Sequence, residues 1–163
     1  MKKIFVFMLA VLPLVFGSCS SDGDEVYGTS ESIDVTVTFN DDDIAAKRNY
    51  NRFYVYLIST EGYTVVSEPN RVSTQYYVDV KDSNGKENRL YAKWWAKALT
   101  SDTELTARVW ENGSVFPYGK CMVILEEWSG AAHWFKYINT TLNESDAINL
   151  TYGSFLRCEH SYD

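Results

Sequence analysis

Histidine, proline and cysteine are all scarce in this 163-residue chain, which carries two, three and three of them. His133 sits beside Trp134, and His160 lies near the C-terminal end, where chains fray. A histidine-based triad therefore has little to build on, and no Gly-x-Ser-x-Gly elbow accompanies the serines. No Cys/His cluster has zinc spacing. The run Asn40-Asp41-Asp42-Asp43 offers oxygens but lacks the spacing and the distal glutamate of an EF-hand loop, so it reads as a solvated loop. Glu126 and Glu127 are adjacent and on a strand point to opposite faces, so they make no facing carboxylate pair. These absences argue against an enzyme, and neither a metal nor a cofactor is expected. Positive charge is short as well: 15 Lys and Arg stand against 22 Asp and Glu, a net charge of −7. Such a surface repels phosphate backbones and argues against a nucleic-acid partner.

Long apolar runs are missing too, except at the start. Met1, Lys2 and Lys3 precede an uncharged stretch, residues 4–16, that ends in the small Gly17 and Ser18 before Cys19. At about 1.5 Å per helical residue this stretch is too short to cross a bilayer core of about 30 Å comfortably, and it reads as the h-region of a cleaved export signal. Phe16-Gly17-Ser18-Cys19 resembles the lipobox of bacterial lipoproteins, with Phe16 where Leu is usual. Ser20-Ser21-Asp22-Gly23-Asp24-Glu25 resembles the leader of Bacteroidota lipoproteins sent to the outer face of the outer membrane. The resemblance implies a diacylglycerol on the Cys19 thiol, export, and a surface protein held to the lipid bilayer by its acyl chains. The organisation that follows is a signal peptide (1–18), a lipidated flexible tether (19–31) and one β-rich domain (32–163). With Cys19 lipidated, Cys121 and Cys158 remain in an oxidising compartment and read as a disulfide, with two separate buried thiols as the alternative.

Period-two alternation dominates the domain. Ile33, Val35, Val37 and Phe39 alternate with polar residues; residues 53–58 are apolar on both parities, as in a central strand; Tyr76, Val78 and Val80 share one face. Further runs lie at residues 105–110, 121–125, 134–138 and 147–152, and Asp43 is placed to cap a helical turn over residues 44–48. The expected fold is all-β, an antiparallel sandwich of immunoglobulin-like or transthyretin-like type, or a barrel, of about seven to nine strands. One stretch is ambiguous. Residues 87–99 also fit a helix, with Trp94 and Trp95 on one apolar face. Read as a strand, Leu90, Ala92, Trp94, Ala96 and Ala98 face in while Tyr91, Lys93, Trp95 and Lys97 face out. Asp82-Ser83-Asn84-Gly85 is turn chemistry that favours the strand. Face matching then requires partner numbers that sum to an even value, such as Val80 with Leu90, through an odd-length connection or a bulge near Gly85.

Aromatics are abundant: twelve Tyr and five Trp, many in doublets that place one ring on each strand face. Tyr77, Tyr91 and Trp95 are the candidate ligand-binding residues. The function expected is noncatalytic binding of a glycan or a partner protein, with an accessory subunit of an envelope complex and a small carboxylate-dependent hydrolase as alternatives. An aromatic row lining a groove would favour a glycan, a flat apolar patch a protein, and two convergent carboxylates in a cleft an enzyme.

Overall fold

The computed structural model of this chain describes residues 29–47, 50 and 52–158. The expected signal peptide, the expected lipidation site Cys19, most of the expected tether and His160 lie outside the described residues. Alternation becomes strand: after the short β1 (Thr29–Ser30), β2 (Ile33–Thr38) buries Ile33, Val35 and Val37 and exposes Asp34 and Thr38. The acidic run opens helix α1 (Asp41–Lys47). Its cap is Asn40 and not Asp43: Asn40 Oδ1 accepts the Asp43 N–H at 2.8 Å, and Asp43 Oδ2 accepts the Asn40 N–H at 3.1 Å, a reciprocal capping pair. The chain continues through β3 (Arg52–Ser59), β4 (Thr64–Val65), β5 (Asn70–Val72), β6 (Gln75–Lys81), β7 (Glu87–Tyr91), β8 (Trp94–Lys97) and β9 (Leu99–Thr100). It ends through β10 (Glu104–Val109), β11 (Phe116–Pro117), β12 (Gly119–Ser129), β13 (Ala132–Leu142), β14 (Ala147–Thr151) and β15 (Leu156–Arg157).

The fold is an all-β sandwich, not a closed barrel, and it has three layers. A five-stranded sheet in the order β15-β13-β12-β3-β8 stands in the middle. Its odd-numbered side chains on β3 and β12, including Phe53, Leu57, Val123 and Leu125, pack against the sheet β14-β2-β10-β9. Its even-numbered ones, Ile58, Met122 and Ile124, pack against a second outer sheet in which β6 carries β4 and β5 on one edge and β7 on the other. Pairing is antiparallel except between β14 and β2, which run parallel. Strand β12 is therefore buried on both faces from Cys121 to Glu127, as its apolar character on both parities requires. Each fully buried aliphatic side chain there contributes on the order of 1.5–3 kcal/mol.

The ambiguous stretch is strand, and the helical reading of 87–99 falls. The turn chemistry decides: Asp82 Oδ1 accepts the N–H groups of Asn84 and Lys86, and Gly85 takes φ +78° in an odd, five-residue connection, residues 82–86. Partners sum to an even number as face matching demands, but the register is Val78 with Leu90 and Val80 with Asn88, two residues from that of Val80 with Leu90. The inward and outward sets are as expected. However, 87–100 is three strands in three sheets: β7 in one outer layer, β8 on the edge of the central sheet, β9 in the other outer layer. Ala92 consequently enters one core and Trp94 the other.

The disulfide does not form. Cys121 and Cys158 are both free and buried, on opposite faces of the central sheet. Cys121 pairs with Thr140 of β13, whereas the Cys158 N–H bonds the Phe135 carbonyl. Five strand positions separate those anchors, about 16 Å at ~3.3 Å per residue, far beyond the ~7 Å that bridged Cα atoms tolerate.

Candidate functional site

On the central sheet, side chains of one parity leave the core where the covering layer stops. The outer sheet ends at the β5–β6 turn, where Ser73 adopts φ +57°. Past it, Tyr54 and Tyr56 of β3, Trp95 of β8 and Trp128 of β12 line a recess of about 580 Å³. Ladder register sets the spacing: Tyr56 is opposite Trp95, and Trp95 in turn bridges to Trp110 at the end of β10. The rings lean on one another. Tyr56 and Trp95 stack with centroids 6.2 Å apart and planes at 24°, and Tyr54 touches both Trp95 and Trp128. Trp95 and Trp110 are 51% and 55% exposed, so the row is open to solvent at this end.

The floor of the recess is polar. Glu126, 1% exposed, accepts three hydrogen bonds: from Arg71 Nη1 at 2.6 Å and the Tyr76 hydroxyl at 2.8 Å on Oε1, and from the Tyr56 hydroxyl at 2.8 Å on Oε2. Arg71 Nη1 also lies 2.9 Å from His133 Nε2, and since a guanidinium only donates, Nε2 is the acceptor. The imidazole stacks on Trp128 at 4.7 Å, and Arg52 covers the same indole at 5.0 Å. Burial, reinforced by the adjacent Glu126 charge, pushes both tyrosine hydroxyls well above their ordinary range. Neither is an activated nucleophile. The Trp128 indole N–H is buried without an acceptor among the described residues.

Glu127 shows the opposite situation on the other face. It is fully buried near Tyr50, Tyr152 and Lys136, with Lys136 Nζ 3.6 Å from Oε1, and no hydrogen bond of normal geometry reaches its oxygens. Burial raises its pKa, opposed by the Lys136 charge. The doublet thus points to opposite faces, and each carboxylate belongs to a different core.

Of the expected ligand-binding residues, Tyr77 and Tyr91 meet across the β6–β7 ladder with ring centroids 5.9 Å apart, and Arg89 lies 3.9 Å over Tyr77. Trp95 is not part of that pair, because the chain has by then passed from the outer sheet to the central one. The recess is built mainly from residues outside the expected set: Tyr54, Tyr56, Arg71, Glu126 and Trp128. Their signal in the sequence was the appearance of aromatic and charged residues at i, i+2 on strands that are otherwise apolar on both parities. Glu111 lines the rim, which makes it the second carboxylate there. Among the described residues no three His, Cys, Asp or Glu side chains converge as a metal site would need. No protein-family model, no curated protein and no solved structure matches this chain.

Proposed function

We propose that the domain is a noncatalytic glycan-binding module, exported and held at the outer membrane surface by lipid on Cys19. One observation carries the binding half: a row of aromatic rings, Trp128, Tyr54, Tyr56 and Trp95, lines an open recess with a fixed polar floor. Sugar rings offer flat C–H faces that stack on such rings, and hydroxyls that need polar partners such as Thr74, Gln75 and Lys93 on the recess wall. Burial and cross-strand packing hold the rings in place before the ligand arrives, which lowers the entropy cost of binding. The anchoring half rests on the lipobox-like Phe16-Gly17-Ser18-Cys19.

A hydrolase is the second reading, favoured by Glu111 and Glu126 sharing the recess. It asks Glu126 to exchange a proton while three charge-assisted donors occupy its oxygens, a poor arrangement for a general acid or base.

Titrating the full chain with a panel of oligosaccharides, followed by calorimetry, tests the proposal. Trp95→Ala should weaken binding by about tenfold or more while leaving the unfolding midpoint in place. An empty panel would refute the glycan reading, and steady turnover of chromogenic glycosides would replace it with the hydrolase. Metabolic labelling with an acyl probe should mark the wild type and not Cys19→Ala; label on the variant would remove the anchor.

A further inference from the structure

The charges around the recess run against those of the whole chain. Of the cations in the domain, Arg71, Lys81, Arg89, Arg108 and Lys136 each hold a carboxylate. Arg52, Lys86, Lys93, Lys97, Lys120 and Arg157 form no ion pair among the described residues; of these Arg52 and Lys93 stand at this site, and Lys97 stands next to it. Arg52 lies over the Trp128 ring, Lys93 lines the recess, and Lys97 is opposite Tyr54 in the β3–β8 ladder, two positions along the strand from Trp95. The carboxylates present are Glu126, neutralised by Arg71, and Glu111 at the rim. In a chain of net charge −7, three unneutralised cations beside one free carboxylate make a local positive field. A neutral sugar chain has no use for it, and a nearby carboxylate would ordinarily settle on such groups.

Building on the glycan-binding reading, we infer that the recess takes an anionic glycan, a sugar chain bearing carboxylate or sulfate groups. The sugar faces stack on Tyr54, Tyr56 and Trp95. The acidic substituents fall toward Arg52, Lys93 and Lys97.

Matched pairs of polymers separate charge from sugar and carboxylate from sulfate: polygalacturonate against its methyl ester, and dextran sulfate against dextran. Affinity of the full chain for each is measured between about 50 and 200 mM salt, where contacts to a polyanion weaken measurably. At least one charged member should bind about tenfold or more tighter than its neutral partner, lose that advantage as salt rises, and lose it in Arg52→Gln/Lys93→Gln. The pair that responds identifies the acid group. Trp95→Ala should weaken both members of the pair. Equal binding of charged and neutral chains, or a preference that survives the double substitution, would overturn the charge assignment and leave the glycan reading standing. Polyglutamate binding as tightly as the charged glycans, with Trp95→Ala silent, would reduce the site to a polyanion patch and overturn it. Failure of every polymer would overturn both readings.

Discussion

Arg71→Met should be among the most damaging single substitutions on the recess side of the protein. Glu126 is 1% exposed and the Arg71 side chain 11%, so the pair is buried, and the carboxylate cannot turn to water when its cation goes. Truncating one partner of a buried, hydrogen-bonded ion pair costs on the order of 3–5 kcal/mol, chiefly from the charge left behind. The Arg71 guanidinium also lies 5.2 Å over the Tyr76 ring, which adds about 0.5–1 kcal/mol. Domains of this size are stable by roughly 5–15 kcal/mol, so the variant should lose about a quarter or more of its margin. Arg71→Met/Glu126→Leu removes both charges and leaves the Tyr56 and Tyr76 hydroxyls without their acceptor. Tyr56 reaches the recess and can turn to water there. Tyr76 is fully buried, and its stranded hydroxyl costs about 1–3 kcal/mol, which Tyr76→Phe should remove. The double variant should therefore be more stable than Arg71→Met alone. Urea unfolding followed by circular dichroism closes the cycle, with an expected coupling of about 2 kcal/mol or more. Two small, additive single effects would refute the buried-pair reasoning, and the gentler Tyr56→Phe, expected to cost about 1–2 kcal/mol, guards against a variant that does not fold.

Trp94→Ala should cost about 3–5 kcal/mol, because Trp94 is 5% exposed and packs edge-on against Phe116 at 5.3 Å; Trp95→Ala should leave stability nearly unchanged, and equal losses in urea unfolding would contradict the split of the doublet between core and recess. Glu127 titrates above its ordinary value of 4.5 in the folded protein, so the folded state holds its proton to higher pH than the unfolded state. Stability should accordingly fall as pH rises from about 4.5 through the raised value and then level off. Glu127→Gln should gain on the wild type across that window and show no gain below it, and a gain that grows as pH falls would reverse the sign. Burial pushes both the Cys121 and Cys158 thiols up to about 12, so lipid-processed protein should expose no reactive thiol when folded and two when unfolded without reductant; none on unfolding would restore the disulfide.

Alternation made most of the strands legible because it reports which face is dry. It does not report what dries it. Ala92 and Trp94 share a parity and both read as inward, yet they enter different cores, because the chain changes sheets between them. The same limit hid the third layer and separated Trp95 from Tyr77 and Tyr91. The disulfide failed for a related reason: thiol count and compartment carry no information about which side of a sheet each cysteine occupies. The acidic pair at the end of the apolar β12 run was legible only as two side chains facing opposite ways. Both side chains are covered, and the tyrosines and cations that accompany them lie up to 77 residues away, as with Arg71, 55 positions from Glu126, and Tyr56, 70 positions from it.

The Glu126-Glu127 doublet explains how three layers stay in register and why the site lies where it does. Apolar contact between sheets is nonspecific and would tolerate sliding, whereas a buried carboxylate is satisfied only when particular donors meet it. Glu126 gathers Tyr56 from the central sheet with Arg71 and Tyr76 from the outer one, fixing how far that sheet reaches along the central face. Where its reach ends, Tyr54, Trp95 and Trp128 are left uncovered. Had the outer sheet extended one more turn, the rings would be core; had it stopped short, Glu126 would be solvated and the floor no longer rigid. The same hydrogen bonds that position the layer therefore define the edge of the recess, and they hold Tyr56 at the orientation in which it stacks on Trp95. Glu127 lacks an equivalent set of short bonds on the opposite face. That face carries a buried carboxylate without a built recess, which is why its perturbation should register in stability alone while that of Glu126 should register in binding as well.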